Sequence, residues 1–201
     1  MNRGFSLIEV LIVVVIAATL VLVVGNFGTN VSSLNGLINV ELESKSDVAQ
    51  QVQIMASEIR SAEPSAAGAY PVDSASTSSF AFYSDINQDG IAEHVRYFLA
   101  SSTIYRGVIA PTGTPATYPA ANEVVTDVVD HVALASSTPL FSYYGSSYAG
   151  TGSPLASPVA VASVRVIAVT FYAALPAKNT SQPAAPQYFS TVVDLRNLDS
   201  N

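Results

Sequence analysis

The chain opens with an unbroken apolar run. Residues 5–24 read FSLIEVLIVVVIAATLVLVV, twenty positions with a single formal charge. As a helix the run covers roughly 30 Å, the thickness of the hydrocarbon layer of a bilayer. Gly25, Asn26 and Gly28 follow, and each Gly lowers helix propensity by about 1 kcal/mol relative to Ala. They predict a flexible or melted joint. Beyond it apolar positions return at steps of three and four: Val31, Leu34 and Ile38, then Val48, Val52, Met55 and Ile59, widened by Leu37, Leu42 and Ala56. This spacing predicts an amphipathic helix, and Glu41 and Lys45 add an i,i+4 pair on it. Pro64 disfavours helix at Glu63, so one long, interrupted helix over 5–62 is expected, with its second half, 25–62, laid on a β-sheet.

After Pro64 the period changes. Short apolar and aromatic runs alternate with Ser, Pro, Gly and Ala stretches. Strands are predicted at Phe80–Tyr83, His94–Leu99, Ile104–Val108, Leu140–Tyr144, Val164–Tyr172 and Tyr188–Leu195. The run Glu123–Val132 fits a strand or a short helix. Loops are expected near 65–78, 110–122, 145–160 and 174–187. The fold class is therefore α+β, a long N-terminal helix packed on an antiparallel sheet, with residues 63–201 forming a β-rich head.

Composition narrows the function. Charged residues make up 11% of the 201 positions and the net charge is −7. The eight basic residues are scattered singly, without the patch or stripe of a nucleic-acid binder. With no cysteine, disulfides, thiolate metal sites and Cys nucleophiles are excluded. No G-x-S-x-G elbow, Walker loop or H-E-x-x-H motif is present. His94 and His131 lack metal-ligand spacing and read as sheet-surface or loop residues. The expectation is a non-enzymatic protein.

Glu9 is the anomaly of the apolar run. A carboxylate at mid-bilayer costs on the order of 2.5–3.5 kcal/mol on insertion scales, and such residues are usually functional. No Lys, Arg or His stands between Arg3 and Lys45, and Arg3 lies six positions away, outside the i,i+3 and i,i+4 pairing distances. Arg3 ahead of the run orients the N-terminus to the cytoplasm and the head to the outside. An ordinary secretory signal would be cut after its apolar core, and a plain signal anchor explains length and orientation but not Glu9.

The string RGFSLIEVLIVVVIAA resembles the N-terminal signature of type IV prepilins and type II secretion pseudopilins. The resemblance implies a leader of residues 1–4, cleavage by a prepilin peptidase between Gly4 and Phe5, and N-methylation of Phe5. It implies that Glu9 meets the N-terminal amine of a neighbouring pilin or pseudopilin subunit during assembly, and that residues 5–24 sit first in the membrane and then in the filament core. The phrases SDINQDGIAEHVRYFL, IYRGV, FSYYG and STVVDLRNL look like those of J-type minor pseudopilins and W-type minor pilins. The leader MNRG is short, and Gly25, Asn26 and Gly28 stand where many relatives have a Pro. The same anchor would also serve a surface binding module or adhesin.

The head carries one cluster of candidate ligands. Asp85, Asn87 and Asp89 alternate, Gly90 follows, and Glu93 lies close behind. Oxygen donors at alternate positions before a Gly resemble the opening of a calcium loop. A full EF-hand would need an acid at the twelfth position, where Arg96 stands. A shortened calcium site of Asp85, Asn87, Asp89 and Glu93 is one reading. The other is a polar hairpin turn, in which Asp, Asn and Gly serve backbone geometry.

Overall fold

The computed structural model describes residues 7–135, 138–174 and 186–195, with the side chains of residues 26–42 outside the description. One helix, α1 (Leu7–Arg60), precedes nine strands: β1 (Val72–Ala75), β2 (Ser79–Ser84), β3 (Glu93–Ala100), β4 (Thr103–Ile109), β5 (Val124–Val129), β6 (Val132–Ala133), β7 (Phe141–Tyr144), β8 (Val166–Ala173) and β9 (Gln187–Asp194). Helix plus antiparallel sheet is the expected α+β arrangement.

The backbone of α1 is helical throughout, including Gly25, Asn26 and Gly28. The expected joint is thus not a break in the isolated chain. Each added helical residue gains a hydrogen bond once a helix has nucleated, and this cooperativity carries the backbone across two glycines although the flanking Val, Asn, Thr and Ser residues are themselves modest helix formers. The side chains of Val31, Leu34, Leu37, Ile38, Glu41 and Leu42 lie outside the described residues. The later stripe is as expected: Val52, Met55, Ala56 and Ile59 are buried, and Val48 packs against them. The helix stops two residues before the expected Ala62. Its last turn tightens as the Ala62 N–H donates to Ile59 O at 3.2 Å, and Glu63 N–H turns to Tyr83 O at 2.9 Å.

β1 to β5 form a five-stranded antiparallel meander in sequence order. A second sheet has β8 at its centre, with β6 and β7 along one edge and β9 along the other. Period-2 patterning sets the faces. On β3, Val95 and Tyr97 are buried beneath α1, whereas His94, Arg96 and Phe98 take the opposite face. Phe80 joins the two sheets, with its ring 6.1 Å from Phe141 and 5.8 Å from Tyr143. The Tyr143 hydroxyl donates to Ser76 O at 2.7 Å, and burial raises its pKa.

All six predicted strands are present, and the ambiguous 123–132 run is extended, as β5 and β6. β1 falls inside the stretch expected to be loop. Its four residues present one buried apolar side chain, Val72, too little to stand out as a strand period. It exists because β2 offers it a partner edge.

Candidate functional site

Residues Leu7–Gly25 form a span of 19 residues with mean hydropathy 3.2, and no side chain in it is buried by the head. Its aliphatic residues stand in the open, from Leu7 to Val24. The one hydroxyl in its middle is neutralised locally, because Thr19 Oγ1 donates back to Val15 O at 3.0 Å and Ile16 O at 2.8 Å. This keeps a polar group from facing an apolar medium without a partner. Glu9 lies in the first turn, on the exposed surface of the helix. Gly4 and Phe5 lie outside the described residues.

The loop between β2 and β3 brings Asp85, Asn87, Asp89 and Glu93 together. Asp85 accepts from the Asp89 N–H (3.1 Å) and the Gly90 N–H (2.8 Å). Asn87 Oδ1 accepts the Asp89 N–H at 2.9 Å, and Asp89 Oδ1 accepts the Ile91 N–H at 2.9 Å. Asn87 Nδ2 donates to both Asp89 Oδ2 and Glu93 Oε1 at 2.9 Å. The amide nitrogen therefore holds the position between the two carboxylates that a cation would need. Gly90 at φ +86° makes the sharp turn. These bonds close the loop as a hydrogen-bonded turn. Among the described residues no group of three or more His, Cys, Asp or Glu is placed to hold a metal.

Glu93 is the buried member of the loop, 4% exposed. Its pKa is raised first by desolvation, then by the charges of Asp89 and Asp85, against the lowering effect of the Ile86 N–H it accepts. The two histidines stand apart. His94 Nε2 faces Asp73 Oδ2 at 3.2 Å on the outer face of the meander, and His131 sits in the turn between β5 and β6 at φ 55°.

Residues 1–25 match the prokaryotic N-terminal methylation motif. No curated protein matches the chain. The motif marks a type IV pilin-like precursor. It implies processing by a prepilin peptidase and assembly with other pilin subunits, and it points to a structural subunit rather than an enzyme. The matched residues end where the hydropathic span ends, at Gly25, consistent with membrane anchoring of the precursor.

Sequence reasoning missed the groups that fasten the pilin-like helix to its head. Glu58, in the last turn of α1, receives Arg106 of β4 and the hydroxyl of Tyr97 of β3. Tyr97 Oη donates to Glu58 Oε2 at 2.7 Å, and its pKa is raised by burial and by the Glu58 charge. Burial alone would lower the pKa of Arg106, but its hydrogen bonds and charge contact with Glu58 outweigh this and raise it. Farther out, Arg96 of β3 reaches Glu123 through Nε (2.9 Å) and Nη2 (2.8 Å). The one available signal was weak: Arg96 and Arg106 interrupt apolar strands where charge is costly without a partner.

Proposed function

We propose that this chain is a structural subunit of a type IV pilus or a type II secretion pseudopilus, and that the phrases of its head make it a minor one. The precursor is held in the cytoplasmic membrane by residues 5–24, N-terminus inside and head outside. Cleavage between Gly4 and Phe5 frees the Phe5 amine, which is methylated. The apolar helices then bundle into an extracellular or periplasmic filament, and Glu9 of the incoming subunit meets the Phe5 amine of a neighbour. The observation that carries this reading is the methylation motif over residues 1–25, continuous with an aliphatic helix that the head leaves uncovered.

Mass spectrometry of the mature protein tests it. The expected N-terminus is methylated Phe5. Gly4→Ala should leave the leader attached and shift the mobility of the protein. A Gly4→Ala product with the mobility of the mature form would overturn the assigned cleavage site.

A further inference from the structure

A groove of about 490 Å³ runs between α1 and β9. Its helical wall is Ala49, Gln53, Ser57 and Arg60, its floor is Val52 and Ala56, and its far wall is the β9 segment Phe189–Thr191. Three features of it converge on one kind of ligand.

The first is an open strand edge. Among the described residues β9 pairs only with β8. Thr170 N–H donates to Leu140 O, on the β7 side of β8. Thr170 and Ser190 are therefore a non-hydrogen-bonded pair across β8 and β9, which turns the Ser190 N–H and C=O away from β8. An extended chain laid beside β9 would find both groups available.

The second is length. The helical wall from Ala49 to Arg60 is about 16 Å long, which matches about five residues of extended chain.

The third is charge. Arg96 and Arg106 are held by Glu123 and Glu58, and Arg165 is held by Tyr70 and by carbonyls. Arg60 has no such partner among the described residues, and it lies at the end of the groove beside Ser57. A ligand carrying a carboxylate would meet a guanidinium there, the geometry in which charge-assisted hydrogen bonds are strong.

We propose that this groove takes an extended acidic segment of a different filament subunit, rather than of a second copy of this chain, added as a strand to β9 with its carboxylate on Arg60. The occupant rests on the filament reading given above, but its test does not. Failure of peptide binding leaves processing at Gly4 untouched, and failure of processing leaves peptide binding untouched.

The probe is a capped pentapeptide, Thr-Val-Asp-Ile-Thr, with its Asn counterpart as control. Fluorescence anisotropy reads its binding to the full chain in detergent micelles. The Asp peptide is expected to bind at least tenfold more tightly than the Asn peptide, and Arg60→Gln should erase that difference. Gln53→Trp fills the groove from an exposed position, and Ser190→Pro removes the outward N–H, a change that edge strands tolerate. Both should abolish binding with little change in melting temperature. Equal binding of the two peptides, undiminished binding by Gln53→Trp, or no binding up to about 1 mM would each overturn the proposal. So would concentration-dependent self-association lost in Gln53→Trp, which would make a second copy of this chain the occupant.

Discussion

Glu58 and Arg106 meet as a two-pronged ion pair between helix and sheet, Nη2 to Oε1 at 2.6 Å and Nε to Oε2 at 3.0 Å. The side chains are 14% and 25% exposed, so the pair is largely withdrawn from water. The same carboxylate takes the Tyr97 hydroxyl. A planar guanidinium constrains both distance and rotation of its partner, so this contact helps to orient the last turns of α1 on the sheet. Below it, Met55 and Ile59 are fully buried in the core, and their close packing holds the helix against the sheet as well.

Removing both members should therefore cost less than the sum of removing each alone. Arg106→Met is expected to destabilise the chain by about 2–4 kcal/mol, because it strands a largely buried carboxylate. Tyr97→Phe should cost about 1 kcal/mol, the typical net worth of one hydrogen bond. Glu58→Gln with Arg106→Met should lose less than the sum of the single changes. Denaturant unfolding of the full chain in micelles measures all three. Additive losses would show that the residues act independently.

Gly107 depends on a neighbour in a different way. It sits on β4 between Arg96 of β3 and Val125 of β5, and the Glu123 side chain crosses directly over it to reach Arg96. A Cβ at Gly107 would occupy the space of the Glu123 carboxylate. Gly107→Ala is expected to displace Glu123 and cost about 1 kcal/mol, the scale of a partly exposed ion pair. In a Glu123→Ala background the same change should be near neutral or stabilising, since Ala suits a strand better than Gly. Melting temperatures of the four proteins check the coupling, and an unchanged Gly107→Ala penalty in that background would refute the crossing.

These two cases mark where sequence reading succeeds and where it stops. The helix and six strands were legible because burial imposes a period on the residues, as in Val52, Met55, Ala56 and Ile59 or in the alternation along β3. The N-terminal chemistry was legible because it is written in consecutive residues. Glu58, Tyr97 and Arg106 lie 39 and 48 positions apart along the chain, and only the docking of helix on sheet brings them together. β1 was invisible for a related reason, its pairing being a property of β2 rather than of its own residues. The backbone of α1 runs on as helix across Gly25 and Gly28, a continuity that propensity alone did not predict and that the cooperativity of helix propagation allows.

The loop at 85–93 yields a paired test. Because Asn87 Nδ2 fills the space between Asp89 and Glu93, calcium is expected to leave the melting temperature of the full chain unchanged, and a rise of several degrees would place the ion there instead. Glu93 should then show its raised pKa. The folded state holds its proton at higher pH than the unfolded chain does, so from the ordinary value of 4.5 up to the raised one the folded state binds more protons. Stability contributed by Glu93 therefore falls as pH rises through that window. Glu93→Gln should remove this downward component from a plot of unfolding free energy against pH. A plot of unchanged slope would mean that desolvation of Glu93 is offset in solution.

Glu9 carries the last prediction, which belongs to the proposed assembly. It lies in the first turn of a helix whose aliphatic surface is bare from Leu7 to Val24. Aliphatic contacts between such helices resist separation but slide easily, since one Val or Leu is much like the next. A carboxylate that must meet a single amine admits one axial register, because a charge left unmatched in an apolar bundle is strongly penalised. Glu9→Ala should therefore leave membrane accumulation of the precursor and cleavage after Gly4 intact while sharply lowering incorporation into filaments. Glu9→Asp, with its shorter reach, should fall between. Quantifying the protein in the membrane and in sheared filaments measures both quantities, and normal incorporation of Glu9→Ala would remove Glu9 from the assembly mechanism.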